Sequence, residues 1–291
     1  ILGQLLLVLG LGESGEIRRD TFERSEKELN TYLATLKSSS NGREIACVRG
    51  TLGYAQMLRA MGESNLDYDL LAVAEPNLSA AIDVLRTEHF PFVVARELTK
   101  MLVNINREDV SAVEMSVAQI ESLRAGRAKI AKNRATDCFF ILSLQSENEW
   151  FDTFILDSAL GSGLFALGSL KQANDGAEQI LQSIRLLEEV ERSIPNVGGS
   201  NLIGKLSIRS IISSAQFELD IRSSASEEEK LAAAARHESS LATLKTGGVF
   251  VGQSYRTLGD RLVKFADIAG PENRRTALIS ASRMFAESAS L

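Results

Sequence analysis

The sequence predicts an all-α protein in which antiparallel helix pairs stack side by side, about six pairs in all. Three observations predict it. Leucine outnumbers valine and isoleucine together and alanine is abundant, a balance that favours helix over strand. Apolar residues recur at helical spacing along the chain, and no stretch alternates as a strand does. Short leucine-glycine segments return at near-regular intervals, in the same order in both halves.

The elements follow from those stripes. A first helix is expected on the apolar run Ile1 to Leu11. Phe22, Leu29, Tyr32, Leu33 and Leu36 then mark a second. Leu78, Ala81, Ile82 and Leu85 mark another, as do Leu98, Met101, Leu102 and Ile105, and Val113, Val117, Ile120 and Leu123. The second half continues with Ile180, Ile184, Leu187 and Val190, and later Leu258, Leu262, Phe265 and Ile268. Pro76, Pro91, Pro195 and Pro271 are placed between helices or at their beginnings, where a missing N–H costs least. Asp20 with Glu23 and Ser226 with Glu229 have the spacing of a capping box and predict helix starts. Gly247–Gly248 reads as a turn, and Val249–Val251 as the start of the helix after it.

The repeats are concrete. Leu2–Gly3 matches Leu52–Gly53, and Gly12–Glu13–Ser14 matches Gly62–Glu63–Ser64, at an offset of 50. Ala215–Gln216–Phe217 matches Ala55–Gln56–Met57, and Leu258–Gly259 matches Leu98–Thr99, both at an offset of 160. The anchors fall at Gly3, Gly53, Thr99, Gly161, Ser213 and Gly259, with spacings of 50, 46, 62, 52 and 46. A glycine inside a helix costs about 1 kcal/mol relative to alanine, so each anchor predicts close approach of a neighbouring helix. The division expected is a three-hairpin half over 1–125, a basic connector helix over 126–148, and a second three-hairpin half over 149–291, as one continuous stack.

The Leu-Gly anchor, the Ala81–Ile82 pair of the second helix and Pro91 before the next pair together resemble the tetratricopeptide repeat, in a long-period variety of about 46–52 residues. The resemblance covers most of the chain outside 126–148. It implies a right-handed superhelical stack whose first helices line a concave binding groove.

Composition narrows the function classes. Thirty-two basic and thirty-eight acidic residues give a net charge of −6, which argues against a globally basic nucleic-acid binder. Two cysteines, Cys47 and Cys138, are too few for a disulfide framework and read as packing residues of a protein in a reducing compartment. The apolar run at the start is shorter than the roughly 20 residues that span a bilayer, so a soluble, cytoplasmic protein is expected. The sequence opens on Ile1 rather than Met, as a fragment of a longer protein would.

Catalytic signatures are scarce. No nucleophile elbow, complete Walker motif (glycine-lysine followed by serine or threonine) or H-E-x-x-H motif is present. Gly10-Leu11-Gly12-Glu13-Ser14-Gly15 spells G-x-G-x-x-G after an apolar run, but a dinucleotide fold also needs a second strand ending in an acid about 20 residues on. Glu26 to Leu36 is charged and helix-periodic instead. His89 reads as a hydrogen-bonded loop residue and His237 as a solvated one on an alanine-rich face. No enzyme activity, metal or cofactor is expected.

Candidate binding residues come from the repeat geometry. Positions three before, one after and five after each anchor share one stripe of the first helix. They hold Arg96, Lys100 and Asn104 in the third hairpin, Arg256, Asp260 and Lys264 in the sixth, and Tyr54 in the second. The expected function is a non-catalytic interaction scaffold, with cations gripping an acidic peptide or partner domain and Tyr54 as an anchor. Arg124, Arg127 and Arg134 form a secondary basic patch. No aromatic residue interleaves it, so nucleic acid is not the expected partner, and neither is a membrane. The alternatives are a regulatory segment of a larger signalling protein that binds a small ligand or an effector domain, and a nucleotide-binding enzyme acting through Gly10–Gly15.

Overall fold

The computed structural model describes residues 2–11, 15–36, 41–62, 66–85, 90–130, 149–171, 176–194, 199–224, 226–246 and 251–290. They form twelve helices and no strand among the described residues: α1 (Leu2–Leu11), α2 (Gly15–Thr35), α3 (Gly42–Gly62), α4 (Tyr68–Leu85), α5 (Phe90–Asn106), α6 (Val110–Ile130), α7 (Glu149–Leu170), α8 (Ala177–Ser193), α9 (Gly199–Ser223), α10 (Glu227–Thr246), α11 (Gly252–Ala266) and α12 (Pro271–Ala289). The protein is all-α and repeat-like, with consecutive helices packed on one another. All six anchors fall on odd-numbered helices, so each odd–even pair is one sequence repeat.

The anchors explain the pairing. A Cβ on Gly3 would meet Leu29 Cγ of α2 at 2.7 Å, and one on Gly53 would meet Leu78 Cγ of α4 at 2.8 Å. On Gly259 it would meet Phe285 of α12 at 2.7 Å. In each case the glycine presses the first helix against a large side chain of the second, the role its mid-helix position predicts. Ser25 Oγ adds a hydrogen bond to the Gly3 carbonyl at 2.7 Å. Beyond the pairs, α3 touches α5 and α10 touches α12, first helix to first and second to second, as stacked hairpins require.

The chain divides into two compact units. One holds Ile1–Gly62 and Leu66–Gly163, the other Leu164–Leu291, and the division falls inside α7. In the first unit Phe22, Leu52, Leu71, Leu78, Leu85 and Phe92 make a core across α2 to α5. In the second, Ile180, Ile184 and Ala215 pack α8 on α9, while Leu241, Leu258, Leu262 and Met284 join α10 to α12.

Three local expectations need correction. Pro76 lies inside α4 rather than between helices. The carbonyl deprived of its partner belongs to exposed Ala72, where water can serve it, and the Asn77 side chain donates to the next carbonyl, of Val73. Asp20 and Glu23 sit within α2, because the same i, i+3 spacing occurs on any helix interior. Ile268, the last residue of its apolar stripe, is 77% exposed in the turn after α11. Other expectations hold: Ser226 and Glu229 form a reciprocal capping box at 3.1 and 3.2 Å at the start of α10, and Pro271 opens α12. Gly126–Ile130 of the expected connector continue α6, while 131–148 lie outside the described residues.

Candidate functional site

The stripe read from the repeats is used in different ways by different hairpins. In the second, Gly50 lies under the Phe92 ring of α5, with no room for a Cβ. In the fifth, Ser210 Oγ meets Ser254 Oγ of α11 at 3.2 Å. Small residues three before the anchor thus let one first helix seat against the next. Tyr54 belongs to this packing: it is mostly covered and packs on the first unit's core, and burial pushes its phenol up to about 12. It supports the core instead of offering an open anchor, because α5 occupies the space beside α3.

In the third hairpin the cations turn inward. Arg96 Nε and Nη2 reach the buried Glu97 carboxylate at 2.8 and 2.7 Å, and Lys100 Nζ lies 3.8 Å from the same oxygen. Asn104 is half-buried, and its carbonyl accepts the Asp109 N–H at 3.1 Å. Arg124 binds the buried Asp157 at 2.6 Å. Arg127 lies on α6 with its side chain outside the described residues, as does the whole of Arg134. The same matching recurs at Glu26 with Arg59, 3.2 Å, and at Glu218, whose two oxygens take Arg222 at 3.0 Å and Arg261 at 3.1 Å. Burial raises the Glu26 carboxyl, and Arg59 opposes the rise. Each of these buried carboxylates lies within ion-pair distance of a cation; the Glu26, Asp157 and Glu218 pairings reach a neighbouring helix, whereas Glu97 and its two cations share α5.

The sixth hairpin differs. Tyr255, Leu258, Leu262 and Ala266 bury one side of α11, while Arg256, Asp260 and Lys264 stand exposed one turn apart on the other. None of those three has an ion-pair partner among the described residues.

Beside that face the second unit holds a cleft of about 170 Å³. Phe217 and Ile221 of α9, Ala234 of α10 and Leu262 and Phe265 of α11 line it, together with Ile268 in the turn that follows. Its polar groups are cations: Lys230, Arg261 and Lys264. The sequence produces the hollow directly, since α10 presents Ala234 from the run Ala232–Ala235 where a larger side chain would fill the space between α9 and α11.

Behind this wall lies a second departure from expectation. His237 is not solvated but 5% exposed, its ring stacked on Phe217 at 4.9 Å between centroids and its Nδ1 2.8 Å from Ser213 Oγ. Desolvation pulls the imidazole down to about 4, so it is neutral at pH 7. The alanine-rich face that suggested exposure is the one packed on α9, where Ala233 and Ala234 are also buried.

No protein-family model matches the chain, and no curated protein or solved structure is significantly similar to it.

Other expected sites can be placed. The apolar run before Gly10–Gly15 is the helix α1 and not a strand, α2 begins at Gly15, and 12–14 lie outside the described residues. A dinucleotide fingerprint instead follows a strand. No cluster of three metal-ligating side chains occurs among the described residues. No described helix is long and apolar enough to cross a membrane. Cys47 is half-buried beside the first unit's core and is disulfide-bonded, not a free packing thiol. His89 and Cys138 lie outside the described residues.

Sequence reasoning found Lys264 but missed its companions at the cleft. The available signals were the unbroken alanine run on α10 and an apolar stripe on α11 that outlasts its helix at Ile268.

Proposed function

We propose that the chain is a non-catalytic interaction module of tetratricopeptide-like, right-handed stacked hairpins, which holds an acidic peptide segment of a partner on the outer face of α11. The observation that carries the reading is the contrast between cations. Arg96, Lys100 and Arg124 are held by buried acids, whereas Arg256 and Lys264 are exposed and have no ion-pair partner among the described residues. Exposed cations two turns apart match carboxylates spaced along a helical or extended peptide, and Asp260 between them fixes a register by repelling a misplaced acid. Steering by these charges raises association rate more than affinity and weakens with salt.

The test is a random peptide library displayed against the wild-type chain and against an Arg256→Glu, Asp260→Lys variant. Wild type should enrich acidic sequences. A synthetic copy of an enriched peptide should bind the variant at least tenfold more weakly by fluorescence polarisation. Selection of the same peptides by both proteins, or no enrichment by either, overturns the proposal.

A further inference from the structure

The cleft between α9, α10 and α11 carries an inference that goes beyond peptide capture. We infer that it is a binding site for a small amphipathic organic anion, with a compact apolar body about the size of one substituted aromatic ring and a single carboxylate or sulfonate at its edge.

Size is the first reason. The cleft measures about 170 Å³, and an apolar cavity of about 150 Å³ accommodates a benzene-sized ligand. A stretch of peptide backbone would also bring amide groups that Phe217, Ile221, Ala234 and Leu262 cannot satisfy.

Charge is the second. Glu218 lies behind Arg261 and is already shared between Arg222 and Arg261. Lys230 and Lys264 have no ion-pair partner among the described residues, so the edge of the cleft keeps a positive excess inside a chain of net charge −6. A ligand carboxylate beside Lys230 and Lys264 would gain charge-assisted hydrogen bonds while its ring displaced water from apolar walls. Few polar groups around a mainly apolar hollow is also the ordinary make-up of a small-molecule site.

Rigidity is the third. Phe217 is backed by the stacked His237, itself tied to Ser213, so the wall is already formed without a ligand.

The test is isothermal titration of the full chain with 4-butylbenzoate and with its uncharged amide, 4-butylbenzamide. Saturable one-to-one binding of the benzoate is expected, at least tenfold tighter than the amide. Lys230→Glu, a substitution at the cleft edge, should bring the benzoate down to the affinity of the amide or below. Ala234→Phe should abolish binding of both if its helical circular dichroism is unchanged; if that variant unfolds, the Lys230→Glu comparison decides. Arg256→Glu should leave the benzoate affinity within twofold, so failure of the peptide reading and failure of this one are separable. No saturable benzoate binding, equal affinity for benzoate and amide, or an unaffected Lys230→Glu variant would overturn the inference.

Discussion

Ser213 Oγ and His237 Nδ1 meet at 2.8 Å across the fifth hairpin, at the anchor position where three other hairpins press a glycine against a large side chain. One hydrogen bond there replaces a close van der Waals contact, and the histidine that makes it is almost wholly covered.

That burial gives the fold an acid-sensitive seam. The His237 imidazole titrates near 4 when folded, against 6.5 in an unfolded chain. Its neutral form therefore contributes fully above pH 6.5, and the contribution is lost as the pH falls from 6.5 toward 4, where the unfolded chain takes up the proton first. Between pH 7.5 and 4.5 the wild type should lose roughly 2–3 kcal/mol more stability than His237→Gln, on a scale of 1.36 kcal/mol per pKa unit. Urea midpoints of the two proteins at both pH values measure it, and parallel loss would refute the assignment.

Anchor glycines should tolerate no side chain. At Gly53 a methyl group would meet Leu78 Cγ at 2.8 Å and the Ala74 carbonyl oxygen at 2.9 Å. Because one of those atoms is backbone, Gly53→Ala should cost about 1–3 kcal/mol. Gly126 on α6 has nothing within 4 Å of the same position, so Gly126→Ala should gain up to about 1 kcal/mol from helix propensity. Opposite shifts in thermal midpoint are the expected result, and equal shifts would remove the packing explanation.

The turn from α5 to α6 holds Glu108 at φ 54°, in the left-handed region that favours glycine. The Glu108 N–H donates to Ile105 O at 3.0 Å and the Asp109 N–H to Asn104 O at 3.1 Å, closing α5 in a Schellman arrangement. Glu108→Gly should relieve the strained backbone and stabilise the first unit by about 1 kcal/mol. Chemical denaturation checks the sign; a destabilised variant would show that the glutamate contributes something the backbone does not.

Two arginines of the second unit should behave unlike each other. Arg222 is nearly buried, pairs with Glu218, and donates to the Ser169 and Lys171 carbonyls at 3.3 and 3.4 Å, sealing the end of α7. Arg222→Met would strip those carbonyls and half of the Glu218 pairing, at a cost of about 3 kcal/mol or more. Arg236 pairs with Asp220 at 3.0 Å while remaining 63% exposed, and Arg236→Met should cost no more than about 1 kcal/mol. Denaturation midpoints rank the pair, and equal effects would contradict the burial argument.

Helix content, the stripes and the pairing of helices were legible in the residues, because each depends on local spacing. Val113, Val117, Ile120 and Leu123 are all buried as their periodicity requires, and Gly3, Gly53 and Gly259 sit where the repeats put close contacts. The binding stripe was legible only as a stripe. Its positions are the same in every hairpin, but Gly50 is covered by Phe92 and Arg96 turns to Glu97, while Arg256 is left in solvent.

Periodicity thus determined the helices and their partners within each pair, since a helix places residues three and four apart on one side whatever surrounds it. Only tertiary packing decided which of those sides met another helix, which acid reached which arginine, and where Ala234 left a hollow beside Lys230. Most of those outcomes depend on how one hairpin seats against its neighbour, through contacts that spacing along a single helix does not encode.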